Sequence, residues 1–161
     1  DLHLLSRRQR QMCIRDRENT VRSHPETTFV IAHVGSYAEN LEWVSGQLGK
    51  YPNMYIDVAA RLAELGRVPY SAKKFFVKHQ DRILFGTDCT PLSMGYHKIY
   101  YRFFETKDEY FPYQPEGELP GQGRWAIYGI GLEDDILKKI YYKNACKVLS
   151  LDENRFVGGV R

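Results

Sequence analysis

Three short apolar runs, alternating with stretches of helical spacing, limit what this chain can become. The first is Thr28-Phe29-Val30-Ile31-Ala32, ending at His33-Val34-Gly35-Ser36. A helix is predicted from about Tyr37, because Tyr37, Leu41, Val44 and Leu48 fall on one stripe and Gly49 stands where a helix would stop. Pro52-Asn53 turns the chain into the second run, Met54-Tyr55-Ile56-Asp57-Val58-Ala59, and a helical stretch from Ala60 to Leu65 breaks at Gly66. After Pro69, Ser71 is the expected N-cap of a helix carrying Phe75, Phe76 and Val77. The third run, Arg82-Ile83-Leu84-Phe85-Gly86-Thr87-Asp88, has the continuous apolar core of a strand buried on both faces. Strand-then-helix units in succession imply parallel strands with right-handed crossovers, an α/β fold.

A last helix is predicted from about Leu132 to Leu151. Glu133, Asp134 and Asp135 crowd its first turn and Lys138, Lys139, Lys143 and Lys147 lie later, the sense that complements the helix dipole. Before it comes an insert, 89–131, in which Tyr96, Tyr100, Tyr101, Phe103, Phe104, Tyr110, Phe111 and Tyr113 are followed by a Pro- and Gly-rich stretch. A loop of that length reads as a lid or binding wall. The alternative is that its aromatics pack over the end of the sheet. Residues 152–161 read as a flexible tail.

Charge narrows the partners. The chain of 161 residues carries 23 Lys plus Arg against 20 Asp plus Glu, but Arg7, Arg8, Arg10, Arg15 and Arg17 with Asp1 and Asp16 hold the whole excess. The rest is neutral, with no basic patch for nucleic acid. Residues 1–17 show no sustained period, and Met12-Cys13-Ile14-Arg15-Asp16 resembles the translated end of a transposon used in preparing sequencing libraries. They are read as a non-native or disordered basic segment, with a basic arm, a transit segment or a frayed helical end as the alternatives, and the domain is placed at 18–151. No apolar run is long enough to span a membrane. Three scattered cysteines, Cys13, Cys89 and Cys146, form neither a disulfide framework nor a four-cysteine zinc site, and their paucity suits a cytoplasmic protein.

In parallel α/β architectures ligands bind at the carboxyl ends of the strands. That rule selects His33, Asp57 and Asp88, each just where an apolar strand ends. His24 and His79 precede their strands and are expected as solvated helix-end residues at the opposite face. His97, within the insert, is on the correct side. Imidazole and carboxylate at one rim can hold a divalent metal and move a proton. The same residues also suit a structural hydrogen-bond network.

The residues that carry the pattern are Phe-Val-Ile-Ala-His33-Val-Gly, Tyr-Pro-Asn-Met-Tyr-Ile-Asp57, Arg-Ile-Leu-Phe-Gly-Thr-Asp88 and Ile-Tyr-Tyr-Lys-Asn144-Ala. In this order they resemble the amidohydrolase-related family of metal-dependent TIM barrels, and within it the branch holding aminocarboxymuconate-semialdehyde decarboxylase. The resemblance covers residues 18–150. It implies the carboxyl-terminal part of a (β/α)8 barrel, about three βα units, with the strands as its sixth, seventh and eighth. His33 would be the sixth-strand histidine, an acid–base group or a ligand of a second metal, and Asp88 the eighth-strand metal ligand and proton shuttle. Zinc is the implied metal, with manganese or iron as alternatives.

Asp57, hydrogen-bonded to Arg61, together with His97 and Tyr101, makes a candidate wall for a small-molecule substrate, and Cys89 reads as a small packing residue. The family's first-strand His-x-His (or Glu-x-His) pair and its fifth-strand histidine have no counterpart here, so the expectation is a truncated enzyme, inactive alone. The implied function is hydrolysis of C–N, ester or lactone bonds. The alternatives are a decarboxylase of the same family and a non-catalytic binding module. Uncovered sheet edges favour self-association, as a homo-oligomer or an aggregate.

Overall fold

The computed structural model describes residues 14–89 and 94–154. Of the segment expected to be foreign, residues 1–13 lie outside the described residues, whereas 14–17 open helix α1 (14–23). That helix buries Ile14 and Val21. The Arg17 guanidinium donates to the Gly35 carbonyl, and Glu18 accepts from Lys50 Nζ at 2.7 Å and from the Tyr51 hydroxyl at 2.9 Å.

Strands β1 (Phe29–Ile31), β2 (Met54–Asp57) and β3 (Ile83–Leu84) form a parallel sheet in the order β1-β2-β3. The register pairs Ile31 with Ile56 and Asp57 with Leu84, so the three carboxyl ends lie along one edge. β3 is shorter than its apolar run suggested. Phe85 leaves the ladder, and its N–H donates to the Ile140 carbonyl at 2.9 Å.

Helix α2 (Leu41–Lys50) starts later than the stripe implied, because the Asn40 side chain caps it by accepting from the Trp43 N–H at 3.1 Å. Tyr37 then lies ahead of the helix, edge-on to Trp43, while Val44 and Leu48 are buried as expected. α3 (Leu62–Leu65) is one turn, ended by Gly66. That glycine is required by close approach, since a Cβ would stand 2.4 Å from Ile127 Cβ.

α4 (Pro69–Lys78) begins at Pro69, not at a cap on Ser71. Proline suits the first helical position because its φ is preset and its missing N–H would be unpaired there anyway. α4 buries Ala72, Phe75 and Phe76.

The insert is not a long loop. Its residues Met94–Glu105 form helix α5, and Phe111 and Ile127 make an antiparallel bridge. Tyr100, Phe103, Phe104, Phe111 and Tyr113 are buried, with Phe104 edge-on to Phe76 at 5.3 Å. Most of these aromatics are therefore core.

α6 (Asp134–Leu149) widens into a π-turn over Lys139–Lys143. The Asn144 N–H returns to Lys139 O across that turn, and the Ile140 carbonyl within it receives Phe85 N–H. The buried Asn144 amide donates to Gln80 O and Ile83 O, both at 2.7 Å, fastening α6 to the entry of β3.

His79 departs from its expected place in solvent. It is only 7% exposed, and its Nε2 lies 2.7 Å from Ser45 Oγ of α2. His24 is exposed, as expected. Among the described residues no helix is long and apolar enough to cross a membrane.

Candidate active site at the carboxyl ends of the strands

The chain leaving each strand passes through left-handed backbone at a residue other than glycine. After β1 these are His33 (φ +60), Val34 (φ +55) and Ser36 (φ +53), with Gly35 between them at φ +68. Beyond β2 it is Ala60 (φ +53), and beyond β3 it is Asp88 (φ +59). Each such residue costs about 1–2 kcal/mol relative to right-handed backbone. Strain of this kind persists only where surrounding contacts hold it, and it clusters at functional sites.

Asp57 supplies the holding contacts beside His33. Its Oδ1 accepts the His33 N–H at 2.7 Å and the Ala59 N–H at 3.1 Å. His33 Nδ1 lies 3.0 Å from the Ala59 carbonyl oxygen. The expected Asp57–Arg61 bond does not form. Arg61 instead reaches Glu64 at 3.1 Å, one helical turn along.

The next link joins β2 to β3. The Ala60 N–H donates to Thr87 O at 3.3 Å and also to the Tyr100 hydroxyl oxygen at 2.8 Å. The Tyr100 hydroxyl in turn stands 3.4 Å from both Val58 O and Thr87 O. Burial holds the Tyr100 hydroxyl firmly protonated. The 57–60 segment thus ties His33 on one side to the backbone preceding Asp88 on the other. Asp88 itself is exposed.

Cys89 is half-buried with its Sγ 3.4 Å from Thr87 O, and burial raises its thiol pKa, so it is a packing thiol and not an activated nucleophile. His97 and Tyr101 approach from α5. Tyr101, 42% exposed, stacks on Phe85 at 5.9 Å and 13°, and the His97 ring is tilted against Phe85 at 6.4 Å. His97 Nδ1 is buried without a hydrogen-bond partner among the described residues.

Ala59, Ala60 and Tyr100 build this rim and were not singled out from sequence. Tyr100 offered a signal, a tyrosine set one turn before Phe103 and Phe104, whose hydroxyl needs a partner once buried. The two alanines act through backbone groups and offered none.

The larger cavities lie elsewhere. One of about 640 Å3 runs between α2 and α4 and includes Ser45, Glu64 and Lys78; another of about 1110 Å3 lies between α4 and residues 107–109 and 128–130. Neither is lined by His33, Asp57 or Asp88. They are grooves on the flank of α4, away from the strand ends at which ligands bind in parallel α/β folds.

Among the described residues no group of three or more His, Cys, Asp and Glu side chains is gathered to hold a metal ion. His33 and Asp88 therefore fall short of the three protein ligands a catalytic zinc requires.

No curated protein and no solved structure matches the chain. The sequence profile of the family described as Amidohydrolase does match, over residues 1–151, a span that takes in all three strand ends and the Asn144 helix. The chain belongs to the amidohydrolase family.

Proposed function

We propose that this chain carries the strand-end acid–base groups of a hydrolase, one that cleaves a C–N bond or an ester or lactone bond of a small molecule in the cytoplasm. One observation carries the reading: His33 and Asp88 follow parallel strands on either side of β2, at the same edge of the sheet. The family match supports a hydrolase-type enzyme. In this reading His33 gives or takes a proton at Nε2, the nitrogen not engaged by Ala59, and the exposed Asp88 carboxylate accepts a proton from attacking water. His97 and Tyr101 form the substrate wall beside Phe85, and Asp57 and Arg61 build the rim behind it.

The family's divalent metal, zinc first and manganese or iron otherwise, would take Asp88 and His33 among its ligands. The described residues do not complete such a site, so no step is routed through an ion. The three strands are read as the sixth, seventh and eighth of a (β/α)8 barrel. The His33-Val34-Gly35 and Gly86-Thr87-Asp88 motifs resemble the aminocarboxymuconate-semialdehyde decarboxylase branch, which makes decarboxylation of a carboxylate-bearing substrate the second reading.

The test assays the protein, in this and in longer forms, after loading with zinc, manganese or iron(II). Amide, ester and lactone substrates are followed in parallel with CO2 release from carboxylic acids. Asp88→Asn and His33→Asn are each expected to lower kcat/KM about 10²–10⁴-fold. Undiminished turnover in Asp88→Asn overturns the proposal, and CO2 release without hydrolysis moves the enzyme to the lyase reading.

A further inference from the structure

We infer that Asp57 is the positioning residue of His33: one carboxylate oxygen anchors both ends of the His33–Ala59 hydrogen bond and so keeps the imidazole proton on Nδ1. The inference rests on the reading of His33 as the acid–base group and adds the residue that orients it.

A carbonyl oxygen has no proton to give. The 3.0 Å contact between His33 Nδ1 and Ala59 O therefore requires the proton to sit on Nδ1, which leaves the Nε2 lone pair of the neutral ring for substrate or water. That contact joins two pieces of backbone outside the sheet ladder, since β1 ends at Ile31 and β2 at Asp57. Asp57 Oδ1 accepts the N–H of both residues, at 2.7 Å from His33 and 3.1 Å from Ala59.

The same oxygen thus fixes the residue that bears the ring and the residue that supplies its acceptor. Charge-assisted bonds of this kind are about twice as strong as neutral ones and offset the left-handed backbone at His33. The Asp57 side chain is backed by the chain just beyond β3, for a Cβ at Gly86 would stand 3.5 Å from Asp57 Cβ and 3.6 Å from its Cγ.

A merely structural Asp57 would change stability and leave the ring's protonation pattern alone. A positioning Asp57 changes the tautomer. The experiment is a long-range ¹H–¹⁵N correlation spectrum of the ¹⁵N-labelled chain above pH of about 8, where an ordinary histidine is neutral. A His33→Gln chain identifies the signal. The expected spectrum shows His33 with its proton on Nδ1.

Asp57→Ala is expected to shift that signal toward the Nε2-protonated form favoured by an unconstrained imidazole. Asp57→Asn, whose side-chain oxygen still accepts both N–H groups, is expected to preserve it. A wild-type ring protonated on Nε2 overturns the inference whether or not Asp57→Ala folds. So does an Asp57→Ala spectrum identical to wild type. Absent turnover with the Nδ1-protonated spectrum intact removes the hydrolase reading and leaves the positioning role standing.

Discussion

His79, at the amino end of β3, and His33, beyond the carboxyl end of β1, each hydrogen-bond through one ring nitrogen, and the chain treats them in opposite ways. His79 closes α4 in ordinary backbone and packs against Phe75 at 5.1 Å. Lys78 Nζ donates to Ser45 Oγ at 2.9 Å, and the same oxygen lies 2.7 Å from His79 Nε2. Burial first, and then the charges of Lys78 and Arg82, lower its pKa and keep the ring neutral. It fastens α4 to α2.

His33 is half-buried, stands in left-handed backbone, and is held by a carboxylate 24 positions away in the chain. At the amino end of β3, His79 and Asn144 are buried and hydrogen-bonded in ordinary backbone. At the carboxyl end strain and access to solvent are both kept, a combination that clusters at functional sites.

The sharpest way to break this contrast is Asn144→Ala. It leaves the Gln80 and Ile83 carbonyls without their donor, and a loss of about 2–6 kcal/mol is expected, at about 1–3 kcal/mol for each orphaned group. Urea denaturation measures it, and a loss under about 1 kcal/mol would show that the amino end is not held together by polar burial.

The next effect is pH dependence. His79 has a folded-state pKa below its ordinary 6.5, so the unfolded chain binds more protons, and stability present above pH 6.5 is lost as pH falls through the lowered value. His79→Gln should flatten the fall of Tm across that window; an unchanged profile would assign the acid loss to other groups.

At the rim, Ser36→Gly removes a Cβ from an exposed left-handed residue and is expected to stabilise by about 0.5–1 kcal/mol. Thermal denaturation reads the gain, and no gain would mean that the turn is not strained. The smallest effect belongs to Asp88→Asn. An exposed carboxylate should change stability by no more than about 0.5 kcal/mol while changing turnover greatly, and the denaturation midpoint set beside kcat/KM checks the separation.

The three βα units were legible because hydrophobic periodicity reports local structure and survives averaging over neighbours. His33 and Asp88 could be picked by position alone, as polar groups where apolar runs end. Asp57 was given the wrong partner for a clear reason: Arg61 is near in sequence, whereas the groups that approach the carboxylate are backbone N–H groups set by turns.

The insert shows the reverse error. Tyr96, Tyr100, Phe103 and Phe104 already have helical spacing, but the Pro- and Gly-rich stretch after them drew the whole segment into a loop. His79 was placed in solvent because its end of the sheet is usually wet, and only the packing of α2 against α4 buries it.

By itself, then, the sequence determined the alternation of strand and helix, the parallel direction of the strands, and the edge at which His33, Asp57 and Asp88 emerge. Those follow from side-chain period and chain connectivity, which act over a few residues. Tertiary structure decided the left-handed turn after β1, the carboxylate that clasps it and the nitrogen of His33 that carries the proton. Each depends on hydrogen bonds between segments some 25 residues apart, whose geometry exists only once the three strands lie side by side.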